Sequence, residues 1–224
     1  MIETVHGIVL RAEDSGEFDQ RLIFYTREMG KIRAKIAGVK KNASKLRSLA
    51  LPCAESRVLL YLHGSKRAGP RDPGKVVGGE VLDLHLGLRT EWDRMLQCAA
   101  FCETLDRMTH PFYPHREEYE LLSGTLSAME TAASPVLVRL RSTLILLKNL
   151  GYGLRHHTAW KNLGGRKREL LLKLGRWNGG PADFSPEETA EIKRVVESYL
   201  AEYLPSPLKS QEFERKLEAA RAAP

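Results

Sequence analysis

The sequence predicts a chain of the α+β class in which a small closed β-barrel precedes an all-helical domain. Within the first 83 residues, five short runs rich in Val, Ile, Leu and Tyr are separated mostly by Gly, Asp, Asn and Pro, as expected for strands. No long helical pattern interrupts them, and so many strands in so short a stretch favour a barrel. From about residue 84, apolar residues recur every three or four positions, which is typical of helices.

Residues 1–83 are therefore predicted to form the barrel domain and residues 84–224 the helical domain. The predicted strands cover residues 4–12, 19–26, 31–38, 56–64 and 75–84. The predicted helices cover residues 88–108, 115–131, 134–151, 185–204 and 208–222. The segment 152–180 is predicted to be irregular, with a short helical run around RKRELLLKL. Ser134 before Pro135, and Ser185 three residues before Glu188, are typical helix starts.

The composition, with 42% hydrophobic and 28% charged residues, is that of a globular protein. No apolar run approaches the roughly 20 residues that a membrane helix needs, and the N-terminus lacks the features of a signal peptide. We therefore expect a cytoplasmic protein. The three cysteines, Cys53, Cys98 and Cys102, do not make a disulfide framework and cannot supply the four ligands of a zinc site. Neither a metal nor another cofactor is predicted.

A turn-rich basic loop over residues 64–75 contains a partial phosphate-binding P-loop. Gly69 to Lys75 fit the first seven positions of that motif, but Val76 stands where Ser or Thr must reach the magnesium ion. Two prolines remove backbone donors, and a predicted strand follows in place of the required helix. Motifs for nucleophilic or metal-dependent catalysis are also missing from the sequence. The chain is therefore not expected to be an enzyme.

Positive charge is concentrated in the N-terminal third of the chain. The formal net charge is +7, but residues 27–75 alone carry 13 basic and 3 acidic side chains. This distribution is typical of a protein that binds a polyanion, although a basic surface kept for solubility would give the same count.

The most specific pattern in this region is Lys31-Ile-Arg-Ala-Lys-Ile36. Side chains on a strand alternate between two faces, so the apolar set fills the barrel and the three cations form an outward row spaced by about 6–7 Å, comparable to phosphates along a single strand. The connection that follows adds four more cations. The predicted DNA contacts are Lys31, Arg33, Lys35, Lys40, Lys41, Lys45 and Arg47. Phe24, Tyr25 and Tyr61 could stack on bases but are equally suited to the core.

Three segments carry a resemblance to a known family: GIVLRAEDSGEFDQRLIFYTREMGKIRAKIAGVKKNASKLRSLALP, LLKNLGYGL and PLKSQEF. In their order and spacing they resemble the RecO family of bacterial recombination mediators, and together they span nearly the whole chain. The resemblance implies an N-terminal OB-fold and a helical C-terminal domain, which matches the division predicted above. Many family members carry four cysteines after the LGY segment, whereas this sequence has none there, so the chain is expected to lack a zinc module.

The resemblance also implies a function. RecO-like proteins bind single- and double-stranded DNA and anneal complementary strands. Together with RecR they load RecA onto DNA coated with the single-strand-binding protein SSB, and they recognise the acidic C-terminal tail of SSB. The expected function is therefore that of a recombination mediator in DNA repair, located in the cytoplasm at the nucleoid.

The SSB tail is acidic and ends in an apolar residue with a free carboxylate, so its receptor needs an apolar pocket rimmed by cations. The helix 134–151 offers both kinds of group, and its Arg141 falls where the family commonly has arginine. An arginine can hold a carboxylate with two parallel hydrogen bonds. The expected tail contacts are Arg139, Leu140, Arg141, Leu144 and Leu147. The alternative is that both arginines are solvent-facing residues that flank a core helix.

Two other functions are compatible with a basic OB-fold. The barrel of an interaction adaptor would contact a partner protein and never DNA, and a third possibility is an RNA-binding or ribosome-associated protein. The row of cations favours DNA over the adaptor, because protein interfaces are depleted in Lys. The helical domain and the family segments disfavour the RNA-binding protein.

Overall fold

The computed structural model describes residues 1–62, 74–181 and 184–222. The chain forms two compact units, one of Met1–Leu86 with Thr109–Ser123 and one of Gly87–Met108 with Gly124–Pro224. The predicted domains have the same order along the chain, but residues 109–123 belong to the barrel unit and not to the predicted helical domain. Among the helices described, none is long and apolar enough to cross a membrane.

The first unit is a five-stranded barrel. Its strands are β1 (Ile2–Asp14), β2 (Gln20–Thr26), β3 (Gly30–Ile36), β4 (Glu55–Leu62) and β5 (Gly74–Asp83). They close in the order β1-β2-β3-β5-β4, with β4 pairing back onto β1. All pairs are antiparallel except β3 with β5, which is parallel. Five strands closed in this way form an OB-fold, as predicted.

Alternation of apolar and polar residues explains why these strands close around a core. On β3, the side chains of Ile32, Ala34 and Ile36 are buried, whereas the intervening residues point outward. Side chains from all five strands join this core, among them Phe24 on β2 and Leu60 on β4. The register is fixed because a slip of one residue would turn the apolar set towards solvent.

The segment Thr109–Ser123 packs on the barrel through backbone and side-chain contacts. The Phe112 N–H donates to the Lys31 carbonyl at 3.0 Å. Gly30 has a φ of +68°, and a Cβ there would lie 2.3 Å from the Tyr113 carbonyl oxygen, so only glycine fits. Further along, the Tyr119 hydroxyl donates to Glu55 at 2.9 Å. The barrel unit therefore includes residues 109–123, which follow the five strands in sequence.

The second unit is helical. The α-helices in the described residues are α1 (Trp92–Met108), α2 (Arg116–Thr131), α3 (Pro135–Asn149), α4 (Thr158–Asn162), α5 (Gly165–Arg176), α6 (Pro186–Ala201) and α7 (Lys209–Ala222). The division between the units falls within α2, after Ser123. Helix α3 contacts α1, α5 and α6. Helix α6 begins with the predicted capping box of Ser185 and Glu188, whereas Ser134 precedes α3 without a side-chain hydrogen bond.

Candidate nucleic-acid interface

The structure places the predicted cations of β3 on the outside of the barrel. Lys31, Arg33 and Lys35 alternate with the buried core residues of the strand. They differ in their surroundings, because Lys31 Nζ donates to the Thr109 carbonyl at 2.7 Å and is held by the segment that packs on the barrel. Arg33 and Lys35 are therefore the better candidates for phosphate contacts on this strand.

The strand register extends the positive charge sideways across the barrel. Arg21 on β2 is the pairing partner of Lys35, and Lys35 is in turn the partner of Lys75 on β5. Neighbouring strands lie about 4.7–4.9 Å apart, so the side chains of pairing partners adjoin on one face of the sheet. Arg21, Lys35 and Lys75 therefore form a cationic row across three strands. Sequence reasoning missed Arg21 and Lys75, because their proximity depends on the strand register.

Acidic residues of the β1–β2 hairpin neutralise part of this surface. Lys35 Nζ lies 2.7 Å from Asp19 Oδ2, and Lys40 Nζ lies 3.1 Å from Asp14 Oδ2. The hydrogen bond from Lys40 is the main reason why the pKa of Asp14 lies below its ordinary value. Arg33 has a longer contact of 3.7 Å with Glu13. Three of the predicted phosphate-binding cations, Arg33, Lys35 and Lys40, thus already face carboxylates of the same chain.

The connection after β3 adds exposed cations. Lys40, Lys41, Lys45 and Arg47 are all exposed. Arg47 donates to the Lys41 carbonyl at 3.1 Å, which fixes the guanidinium beside the turn. The Lys41 ammonium lies 5.5 Å from the ring centroid of Phe18, a hairpin residue that is 42% exposed. Side chains of this kind are accessible to a backbone of phosphates.

The three aromatic residues considered for base stacking have different environments. Phe24 and Tyr25 are fully buried, so they belong to the core and cannot reach a base. Tyr61 lies on the outer face of β4 and is 43% exposed. Its pairing partners are Ile2 on β1 and Lys75 on β5.

The helical unit contains a surface cavity of about 470 Å³ beside α3. Two of the predicted tail-binding residues line it, Arg141 and Leu144. Other lining residues are Ile145, Lys148, Leu154, Arg155, Trp160 and Leu171. The Arg155 guanidinium lies over the Trp160 ring, 6.0 Å from its centroid. The cavity therefore combines three cations with an apolar lining.

Arg139, Leu140 and Leu147 do not belong to this cavity, which corrects the predicted set. Leu140 and Leu147 are fully buried, and Arg139 is only 1% exposed. Arg139 Nε donates to Gln97 Oε1, and its Nη2 donates to Glu197 Oε1 at 2.7 Å. A guanidinium enclosed in this way cannot hold the carboxylate of an external peptide. The two arginines lie two residues apart and so point in different directions on α3.

Two other features singled out in the sequence are the partial P-loop and the three cysteines. Of the partial P-loop, residues 69–73 lie outside the described residues, while Lys75 and Val76 belong to β5, as the predicted strand required. Cys53, Cys98 and Cys102 are all buried, and Cys98 Sγ lies 3.1 Å from Met129 Sδ. The absence of a bound zinc ion stays a prediction.

Comparison with known proteins assigns the family. Residues 1–68 match the family model described as Recombination protein O N terminal, and residues 89–159 match the model Recombination protein O C terminal. A DNA repair protein RecO of Desulfitobacterium hafniense (strain DSM 10664 / DCB-2) is 32% identical over 150 residues, which cover 65% of this chain and 50% of the relative. The protein of the same name from Bacillus subtilis (strain 168) is 24% identical over 258 residues, covering 99% and 97%.

The extent of these matches differs between relatives. The alignment with the Desulfitobacterium protein spans about half the length of that relative, whereas the one with Clostridium perfringens (strain 13 / Type A) spans 71% at 29% identity. The two family models together match more than half of this chain, and they fall on both its barrel and its helices. With its OB-fold, its helical unit and these matches, the chain belongs to the Recombination protein O (RecO) family.

Proposed function

We propose that this chain is a DNA-binding recombination mediator in DNA repair and catalyses no covalent reaction. The observation that carries the proposal is the group of outward cations on the OB-fold of a RecO-family chain, formed by the row Arg21, Lys35 and Lys75 together with the exposed connection after β3. Phosphate contacts through such cations give affinity for single- and double-stranded DNA without reading their sequence.

Strand annealing follows from the same charges. Two DNA strands repel each other through their phosphates, and a surface that neutralises part of that charge lowers the cost of bringing complementary strands together. Base pairing then supplies the free energy, so no nucleotide hydrolysis by this chain is needed. In cells the protein would act with RecR to help load RecA onto SSB-coated DNA.

The cavity beside α3 is the proposed receptor for the SSB tail. Its cations, Arg141, Lys148 and Arg155, suit an acidic peptide, and Leu144 and Trp160 suit the terminal apolar side chain. Arg141 lines the cavity, and its Nε has no hydrogen-bond partner among the described residues, which supports a role in holding a carboxylate. This assignment retains Arg141 and Leu144 from the sequence prediction. It replaces the buried Arg139, Leu140 and Leu147 with Lys148, Arg155 and Trp160.

The test is an annealing assay with complementary oligonucleotides coated with SSB. We expect the chain to accelerate duplex formation, and the double variant Lys35→Ala, Lys75→Ala to lose most of that acceleration. Arg116→Ala is the matched control, because it removes an exposed cation of the same unit that pairs with Glu120 at 2.6 Å. If the wild-type chain bound no DNA and did not accelerate annealing, the interaction adaptor would be the better description.

A further inference from the structure

An exposed apolar patch lies on the outer face of the barrel, on strands β1, β4 and β5. Its members are Ile2, Leu59, Tyr61 and Val77, which are between 38% and 61% exposed. The exposure of apolar side chains to water is unfavourable in free energy. A contiguous group of them on the outside of a small barrel marks a binding surface.

The strand register places this patch next to the cationic row. Tyr61 pairs with Lys75, the last member of the row, and Ile2 pairs with Tyr61 on the other side. Neighbouring strands are about 4.7–4.9 Å apart, so the change from charge to apolar surface occurs within one strand spacing. The row and the patch together form one continuous band across the strands.

A bulge in β5 enlarges the apolar part of this band. Leu59 pairs with Gly78 and Leu60 pairs with Val76, so Val77 is the extra residue and its side chain is exposed. Gly78 has no side chain to cover Leu59, whose Cδ1 would lie only 3.4 Å from a Cβ at that position. The local geometry thus keeps both apolar side chains open to a ligand.

We propose that this patch binds the unstacked bases of single-stranded DNA, with the ring of Tyr61 as the stacking platform, while the phosphates lie on the cationic row. This inference rests on the proposed function and adds a preference for single strands. Each base has an apolar face, so stacking on an aromatic ring needs no particular sequence. In a duplex those faces are covered by neighbouring base pairs, and only the phosphates remain for binding.

The charge beside the patch favours a nucleic acid over a protein partner. Protein interfaces are enriched in aromatic residues but depleted in lysine at their centre. Here Lys75 directly adjoins Tyr61, and Lys35 adjoins Lys75. An occupant therefore has to offer apolar faces and negative charge within a few ångströms of each other, which a single strand does at every nucleotide.

The test compares three ligands of equal length: oligo-dT, an abasic deoxyribose-phosphate chain and a duplex. Wild-type protein should bind oligo-dT more tightly than the abasic chain. Tyr61→Ala should weaken oligo-dT binding by roughly 5- to 150-fold, the range for removing one base–aromatic stack. The affinities for the abasic chain and the duplex, and the slope of the salt dependence, should stay within about twofold of wild type, because none of them depends on stacking. Tyr61→Phe should restore most of the oligo-dT affinity.

Tyr113→Ala is the matched control, because Tyr113 is a more exposed aromatic residue of the same unit outside the band. Val77→Ser provides a second variant that changes the patch without touching an aromatic ring, and it should weaken oligo-dT binding selectively. An equal decrease in affinity for all three ligands, or no decrease at all, would overturn the stacking platform while leaving DNA binding intact. Failure of the wild-type chain to bind any of the ligands would overturn both proposals.

Discussion

Lys35 Nζ lies 2.7 Å from Asp19 Oδ2, so a cation proposed to bind phosphate is already paired with a carboxylate of the same unit. The hydrogen bond from Lys35, followed by one from the Gly38 N–H at 2.8 Å, lowers the pKa of Asp19 below its ordinary 3.8. The carboxylate is therefore ionised at neutral pH, and a DNA phosphate would compete with it for Lys35.

The first prediction is that Asp19→Asn tightens DNA binding. Asn keeps the oxygen that accepts from Gly38 but removes the charge, so Lys35 becomes available to phosphate. Exposed ion pairs are weak, and the gain in affinity should be at most about fivefold. Fluorescence anisotropy with a labelled oligonucleotide measures it. Glu17→Gln makes the same change in net charge on the same hairpin, and an equal gain there would attribute the effect to net charge alone.

The second prediction concerns salt. Arg33→Ala and Lys35→Ala should weaken binding equally on unrelated sequences, because phosphate contacts carry no sequence information. For single strands, the removal of each cation that binds a phosphate should make the slope of log affinity against log salt shallower by about 0.7. Lys31→Ala should change the slope less, since its ammonium is held by the Thr109 carbonyl. An unchanged slope in the double variant would remove β3 from the DNA site.

The third prediction concerns the SSB tail. Arg141→Ala should weaken binding of a tail peptide by about 1.5–3 kcal/mol, the range for a hydrogen bond to a charged group. Binding of bare DNA should be unchanged, because its proposed site is on the barrel. Arg176→Ala removes an exposed cation of the helical unit that does not line this cavity, and it should have little effect in the same calorimetric titration. Full tail affinity in the Arg141 variant would place the receptor elsewhere.

The fourth prediction is that Arg139 stabilises the helical unit. Arg139→Ala leaves the carboxylate of Glu197 and the amide of Gln97 without their buried partner, and breaking a buried pair in this way costs about 3–5 kcal/mol. Urea unfolding followed by circular dichroism should show that decrease in the free energy of unfolding. Arg166→Ala breaks an exposed arginine–glutamate pair and should cost less than about 1 kcal/mol. Similar costs for the two variants would contradict a structural role for Arg139.

The fifth prediction is a decrease in stability in acid that depends on Glu214. Burial alone would raise its pKa, but Arg139, Gln97 and Lys193 together hold the pKa of Glu214 below its ordinary 4.5. A group with a lowered pKa in the folded state stabilises the fold above its unfolded pKa and loses that effect as the pH falls through the folded value. Stability should therefore decline below about pH 4.5. Glu214→Gln should show a smaller decline in thermal unfolding measured at about pH 7 and about pH 3, on either side of that range.

Local periodicity predicted which side chains are buried wherever one face of a strand or helix packs against the core. It predicted the burial of Ile32, Ala34 and Ile36 on β3. The apolar residues that recur every three or four positions on α2 are buried as well, namely Tyr119, Leu122, Leu126 and Met129. The same pattern failed in part on α1. Trp92 follows the apolar spacing of α1, but it begins the helix and is 58% exposed, with its ring against the edge of Phe213.

Contacts between residues distant in sequence were not predictable in this way. The count of cations in residues 27–75 took no account of Asp14 and Asp19, which the β1–β2 hairpin brings against Lys40 and Lys35. Arg139 looked like a surface residue because charged side chains are rarely buried without a partner. Its partners come from α1 and α6, and no pattern within α3 reveals them.

The packing of residues 109–123 on the barrel has a consequence for protein synthesis. Glu55 receives hydrogen bonds from Tyr119 and Ser123, which leave the ribosome after the whole of α1. At a synthesis rate of about 5–20 residues per second, several seconds pass between the translation of Asp83 and that of these partners. During that interval Gly30 and Lys31 lack the covering segment, and this side of the barrel is open to chaperones. A fragment that ends at residue 83 would lack this segment permanently, so the complete barrel unit requires the chain through residue 123.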